Sequence, residues 1–464
     1  MAPASLHFIV VTSVLAASAA CAAPADFAGS TYPMSYDDAP FNYSKSDSSG
    51  PAAQLEQRLE KGEIHLQYEP QHGYLLSLLA ALKVSKTSQM LVFSKSSFQR
   101  THISPSNPRA IFFNDDTYVG FIPGAPLLEI SVADPKLGAV FYTLNQTNRD
   151  QPRLVRNNDC LECHATSNTM GVPGHLVRSF VTGDDGSVDF SDGASWVDHR
   201  TPLAERWGGW YVTGTHGTQT HRGNLIGKAA FARHELKPGL SGNLTSLKTL
   251  LDTSRYPTPH SDIVALMVLE HQTHMHDFIT RLNYEAAQKL AQYGEMKYLD
   301  NPIESFVKYL LFAEEAPLTA PIKGTSGFTA AFPLQGPRDK KGRSLRDFDL
   351  KTRLFKYPCS YLIYSPAFDA LPSSLKANIY GRMWDILTGK NTSADYRNLS
   401  PESRRAILEI LADTKSGLPD YWKVIGAGSG DQKNTGEFPG EWRARLQKTT
   451  YIRSSGFRAG KRPV

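Results

Sequence analysis

The chain has 464 residues, enough for two or three domains at roughly 100 to 200 residues each. A hydrophobic share of 41% and a charged share of 20% match an ordinary folded protein and argue against both a disordered polymer and a membrane bundle. The net charge of +5 comes from 50 basic and 45 acidic side chains with no basic block before the last residues, so nucleic acid is not expected as a partner.

Residues 6 to 20 are apolar and too few to span a bilayer, and they lead into Ala20-Cys21-Ala22, whose small side chains suit removal of an export signal over residues 1–22. No Lys or Arg precedes the run, a departure from the usual signal. Cys21 also admits a lipoprotein reading, in which the protein would be membrane-tethered; Ser18 stands where that processing box usually carries Leu. Residues 23–50, rich in Ser, Asp, Pro and Tyr, read as a mobile leader, with order expected from Pro51.

Helix formers follow Pro51, and Tyr74 to Val84 is a second apolar helical stretch. The runs MLVFS, AIFFN, YVGFI, LLEISVA and AVFYTL, between residues 90 and 144, are β-branched or aromatic and separated by turn residues, which predicts a meander. Residues 145 to 176 are polar and irregular. Strand-like pieces return at 176 to 182 and 209 to 213, after which helical periodicity takes over at 261 to 292, 302 to 314, 374 to 388 and 400 to 414. The expected fold class is α+β: a β-rich domain over 51–255, a helical region over 256–425, and a Gly-rich, basic tail over 426–464.

The irregular stretch holds Cys160-Leu161-Glu162-Cys163-His164. Two thiols with two residues between them, followed at once by an imidazole, are what covalent attachment of one haem c requires: Cys160 and Cys163 for thioether bonds and His164 as axial iron ligand. With 4 Cys and 14 His in the chain, chance supplies this pattern about 0.001 times. Other readings are a thioredoxin-like pair, a structural zinc site and a Cys160–Cys163 disulfide. The first lacks a strand-to-helix setting, the second lacks two further ligands, and the third leaves His164 without a role.

The opposite face of the iron separates electron transfer from ligand binding or catalysis. Met170 and His175 follow closely in sequence. On the long helix, Val264, Val268, His271, Met275, Phe278 and Leu282 share one apolar face, while Gln272, His276, Thr280 and Asn283 fall on a polar one. This makes His271 the inward-facing candidate for second axial ligand, with His274 beside it; an open or water-bound iron is the alternative. His216 and His221, after the aromatic run Trp207 to Tyr211, suit a cofactor wall, sheet-edge packing or a weakly specified nonhaem metal site. Arg178, Arg200 and Arg206 are candidate partners for the haem propionates, since guanidinium matches carboxylate geometry. Cys359 reads as a buried inert thiol.

The segments NDDTYVGFIPG, LGAVFYTL, GVPGHLVRSF, DHRTPLAERWGGWYVTGTHG, MVLEHQTHMH and RLFKYPCSYLIYSPAFDALP, with the Cys motif among them, resemble a set of uncharacterised bacterial cytochrome c domain proteins over about residues 65 to 425. The resemblance implies haem c binding outside the cytoplasm and carries a role only to Cys160, Cys163 and His164. The motif's mid-chain place departs from small single-domain cytochromes c, so their fold is not expected here. The function expected is one-electron transfer with a redox partner protein or small donor or acceptor, and the alternative is a haem enzyme or small-ligand sensor.

Overall fold

A computed structural model describes residues 32–148, 152–188, 194–236, 242–296 and 298–423. The expected export signal, Cys21, the first part of the leader and the 426–464 tail lie outside the described residues. The strands are β1 (Met90–Val92), β2 (Arg109–Phe113), β3 (Thr117–Phe121), β4 (Leu127–Asp134), β5 (Gly138–Asn145), β6 (Leu154–Arg156), β7 (Arg178–Phe180), β8 (Ala194–Trp196), β9 (Trp210–Tyr211), β10 (Gly214–Thr215) and β11 (Lys323–Gly324). The principal helices are α1 (Pro51–Glu60), α2 (Leu75–Ala81), α3 (Leu161–His164), α4 (Lys228–Leu236), α5 (Ile263–Tyr293), α6 (Asp300–Leu310), α7 (Phe328–Ala331), α8 (Pro366–Asp369), α9 (Ser373–Leu387) and α10 (Pro401–Thr414).

The expected meander is present. Strands β1 to β6 pair antiparallel with their chain neighbours, and β9 adds to the free edge of β1, giving a seven-strand antiparallel sheet in the order β6-β5-β4-β3-β2-β1-β9. The mixed architecture is that sheet plus several helices. Alternation sorts the strand residues onto two faces. Leu91, Ala110, Phe112, Val119, Ile130 and Leu144 point to one side, where they pack with Ala52 and Leu55 of α1 and Leu75, Leu78 and Leu79 of α2. Met90, Val92, Phe113 and Tyr118 point to the other and join one continuous core with α5, α6, α9 and α10. The core therefore runs without a break across the boundary expected at 255 to 256.

Helix α5 organises the second layer. Asp262 caps it, accepting hydrogen bonds from Val264 N and Ala265 N, and Gly294 ends it in the left-handed conformation at φ 71°. The expected polar face of this helix is buried too: Gln272, His276 and Thr280 lie against the sheet. Gln272 Nε2 donates to Asn114 O and to the Tyr118 hydroxyl, and His276 Nε2 donates to Asp115 O. Turn carbonyls at the β2–β3 hairpin thus satisfy side chains that periodicity alone assigns to solvent.

Order also begins earlier than Pro51. Met34, Phe41 and Tyr43 are buried, Phe41 stacks on Tyr284 of α5 at 3.6 Å, and the Tyr43 hydroxyl donates to Ala139 O of β5. The polar composition hid three apolar anchors that strap the segment between helix and sheet. No described helix is long and apolar enough to cross a membrane.

Candidate functional site

The Cys motif leaves directly from the sheet's edge. After β6, Asn157 accepts a hydrogen bond from Asp159 N and opens a short turn of 3₁₀ helix at Asn158–Cys160, which passes straight into α3. Three residues apart on this turn, Cys160 and Cys163 occupy neighbouring positions of one helical surface. Cys160 is half-buried against the α1/α2 core, Cys163 is exposed, and both are free thiols.

His164 closes the turn with its ring beside Phe141 of β5, at a centroid distance of 4.9 Å. Its Nδ1 lies 3.0 Å from Gly174 O. A carbonyl can only accept, so the proton sits on Nδ1 and Nε2 is left as a bare lone pair with no hydrogen-bond partner among the described residues. Burial pushes the imidazole down to about 4, partly opposed by the Gly174 bond, so the ring is neutral at pH 7. A neutral imidazole with one nitrogen anchored and the other free is the form that binds a metal.

Beside this ring the sheet is incompletely covered. On the α5 side, the row Phe113, Tyr118, Ser131 and Phe141 is buried, whereas the next row, Ile111, Gly120, Glu129, Thr143 and Val155, is half-open to exposed. Gly120 leaves the middle of that row without a side chain, flanked by the Arg109–Glu129 ion pair at 2.8 Å. Arg109 and Glu129 also act electrostatically on His164, as does Arg178.

The three candidate arginines have separate fates. Arg178 on β7 is half-buried, feels the nearby Cys163 sulfur, lies over the Phe180 ring at 5.8 Å, and has no carboxylate partner among the described residues. Burial lowers its pKa. Arg200 is paired with Asp198 at 2.7 Å and meets His274 Nε2 at 3.1 Å. Arg206 is buried against Glu270, whose second oxygen accepts from Trp207 Nε1, and also donates to Thr201 O and His199 O. Only Arg178 of the three is left uncommitted, and it stands beside the motif.

The candidates for the second axial ligand divide as clearly. His271 is fully buried: Nδ1 meets His199 Nδ1 at 2.9 Å, Nε2 meets Ser360 Oγ at 2.8 Å, and the ring stacks on Tyr309 and Phe312. Both nitrogens are spent, so the inward-facing position read from periodicity is that of a satisfied core histidine. His274 is engaged with Arg200 and Asp198, and His276 with Asp115 O. Met170 is buried, and its carbonyl accepts from Arg281. His175 is the one whose ring shares Phe141 with His164, at 6.1 Å; its Nε2 meets Ser131 Oγ at 2.6 Å, and its buried Nδ1 has no partner among the described residues.

His216 and His221 come together with ring centroids 4.8 Å apart, but His216 Nε2 donates to Gly242 O and His221 Nδ1 accepts from Gly223 N. No group of three or more His, Cys, Asp or Glu able to hold a metal ion occurs among the described residues. Cys359 is a buried thiol, as expected. Arg109, Glu129, Gly174 and Asp277 surround the motif without having been signalled by it. Gly174 and His175 stand in the GVPGH run just past the motif, the one local hint available.

Comparison with protein-family models, curated proteins and solved structures finds no match to this chain. The chemistry of the site therefore rests on its own geometry.

Proposed function

We propose that the protein is an exported monohaem c-type cytochrome that passes single electrons between partners, with its β-rich half carrying the haem. The observation that carries this reading is the state of His164: held through Nδ1 by Gly174 O, neutral, and bare at Nε2, one residue after two free thiols on the same short turn. Cys160 and Cys163 would hold haem covalently, His164 would ligate its iron, and the uncommitted Arg178 offers a cation for a propionate. Bound haem supplies one-electron chemistry. The exposed Cys163 and the half-open row from Ile111 to Val155 put the site at the surface, where a redox partner can approach.

A haem enzyme or small-ligand sensor is the second reading. It is favoured by the commitment of His271, His274 and His276 to bonds inside the core, which leaves none of them ready for the iron's opposite face. Absorption spectra of the purified protein, oxidised and reduced, with and without carbon monoxide, decide between the two. Low-spin bands that ignore the gas are expected for the electron carrier, and a carbon monoxide adduct supports the second reading. Haem should stay attached after denaturation and be lost from Cys160→Ser/Cys163→Ser; a wild-type protein that retains none would sink both readings.

A further inference from the structure

One peptide unit, Gly174-His175, joins the motif to the middle of α5. Its carbonyl accepts the Nδ1 proton of His164 at 3.0 Å, and its N–H donates to Asp277 Oδ1 at 2.8 Å. Gly174 N also donates to the main-chain carbonyl of His164 at 2.8 Å, so ring and backbone of the histidine are held by the same residue. Asp277 lies on α5 at 1% exposure, with no salt-bridge partner among the described residues and with Oδ2 buried and unpartnered. An apolar side chain would fill that space without leaving an oxygen unpaired, so what the carboxyl contributes is its bond to His175 N–H. The approach depends on glycine: a Cβ at position 174 would lie 2.3 Å from Asp277 Oδ1.

We infer that Asp277 is a positioning residue for His164, holding the Gly174-His175 peptide so that its carbonyl keeps the imidazole proton on Nδ1 and strengthens Nε2 as a donor to metal. The inference rests on the haem reading above. Hydrogen bonds on the far nitrogen of a ligating imidazole orient the ring and raise its basicity, and successive bonds through one peptide polarise each other. Burial raises the Asp277 carboxyl well above its usual range, opposed by the His175 bond, and an asparagine amide oxygen can accept that same bond.

The test is redox titration of the full-length protein with its haem attached, comparing wild type with Asp277→Asn, Asp277→Leu and Gly174→Ala. Asp277→Asn should keep the wild-type reduction potential. Asp277→Leu and Gly174→Ala should raise it, because a less basic Nε2 stabilises the oxidised iron less. Should Asp277→Leu fail to accumulate, Gly174→Ala carries the test, since position 174 is outside the left-handed region, so the added Cβ strains no φ and acts by pushing the Asp277 carboxyl away. Potentials unchanged in Asp277→Leu and Gly174→Ala would overturn the inference. So would an Asp277→Asn shift as large as that of Asp277→Leu, which would assign the effect to carboxyl charge. Wild-type protein without covalent haem would instead remove the reading on which the inference stands.

Discussion

His164 is half-buried and His271 fully buried, and burial holds both imidazoles neutral, yet among the described residues one keeps a nitrogen bare while the other bonds through both. The difference comes from their neighbours. His164 has a single backbone acceptor within reach, whereas His271 sits between His199 and Ser360 and is flanked by aromatic rings. Replacing His271 by Ala should therefore leave the haem spin state unchanged. It should lower the unfolding free energy by about 1–3 kcal/mol for the polar groups left unpaired, with a further loss from the cavity. Oxidised absorption spectra and urea unfolding of the same preparation check both halves, and a conversion from low to high spin would return His271 to the iron.

At the scale of elements, α5 concentrates the buried titratable groups. Burial lowers His271 to about 3, and His274 and His276 to about 4, from an ordinary 6.5. A histidine whose folded pKa is depressed binds its proton first in the unfolded chain. Above pH 6.5 neither state is protonated and the effect vanishes; between pH 6.5 and 4 the unfolded chain binds more protons and stability falls. The slope is about 1.4 kcal/mol per pH unit for each fully titrating ring. Glu270, raised to about 8 by burial, and Asp277, raised likewise, pull the other way over the same range, so the rings are read directly. NMR titration of the imidazole resonances should leave His271, His274 and His276 unchanged from pH 7 to 5, and rings that titrate near 6.5 would mean that they are not buried neutral.

Across the whole molecule, the sheet is clamped between two cores, and residues 32–50 tie them at one end. Phe41 packs on α5, Tyr43 reaches β5, and Ser49 N donates to Asp134 of β4. Truncating Phe41 to Ala should cost about 3 kcal/mol, the lower end for a large buried aromatic. Unfolding that matches wild type would mark the segment as a loose leader after all. The same strap borders the site, because Met34 N donates to Gly171 O and Arg281 Nη1 donates to both Tyr32 O and Met170 O. The loop carrying Gly174 is thereby held from two sides.

Local chemistry was legible in the sequence by itself. The Cys160 to His164 spacing, the strands from Met90 to Leu144 and the long helix after Asp262 depend on residues close in the chain, where period, turn residues and caps act directly. The tertiary structure alone decided which polar groups are spent and which remain. Arg178, Arg200 and Arg206 read alike, yet among the described residues only the last two meet carboxylates, Asp198 and Glu270. His271 bonds to Ser360, 89 positions away, and the polar face of α5 is buried because turn carbonyls from 114 and 115 meet it. Hydrogen-bond satisfaction is a property of distant pairs brought together by packing, so the spacing of a motif says nothing about the Gly174 carbonyl, the Asp277 carboxyl and the Arg178 guanidinium that surround it.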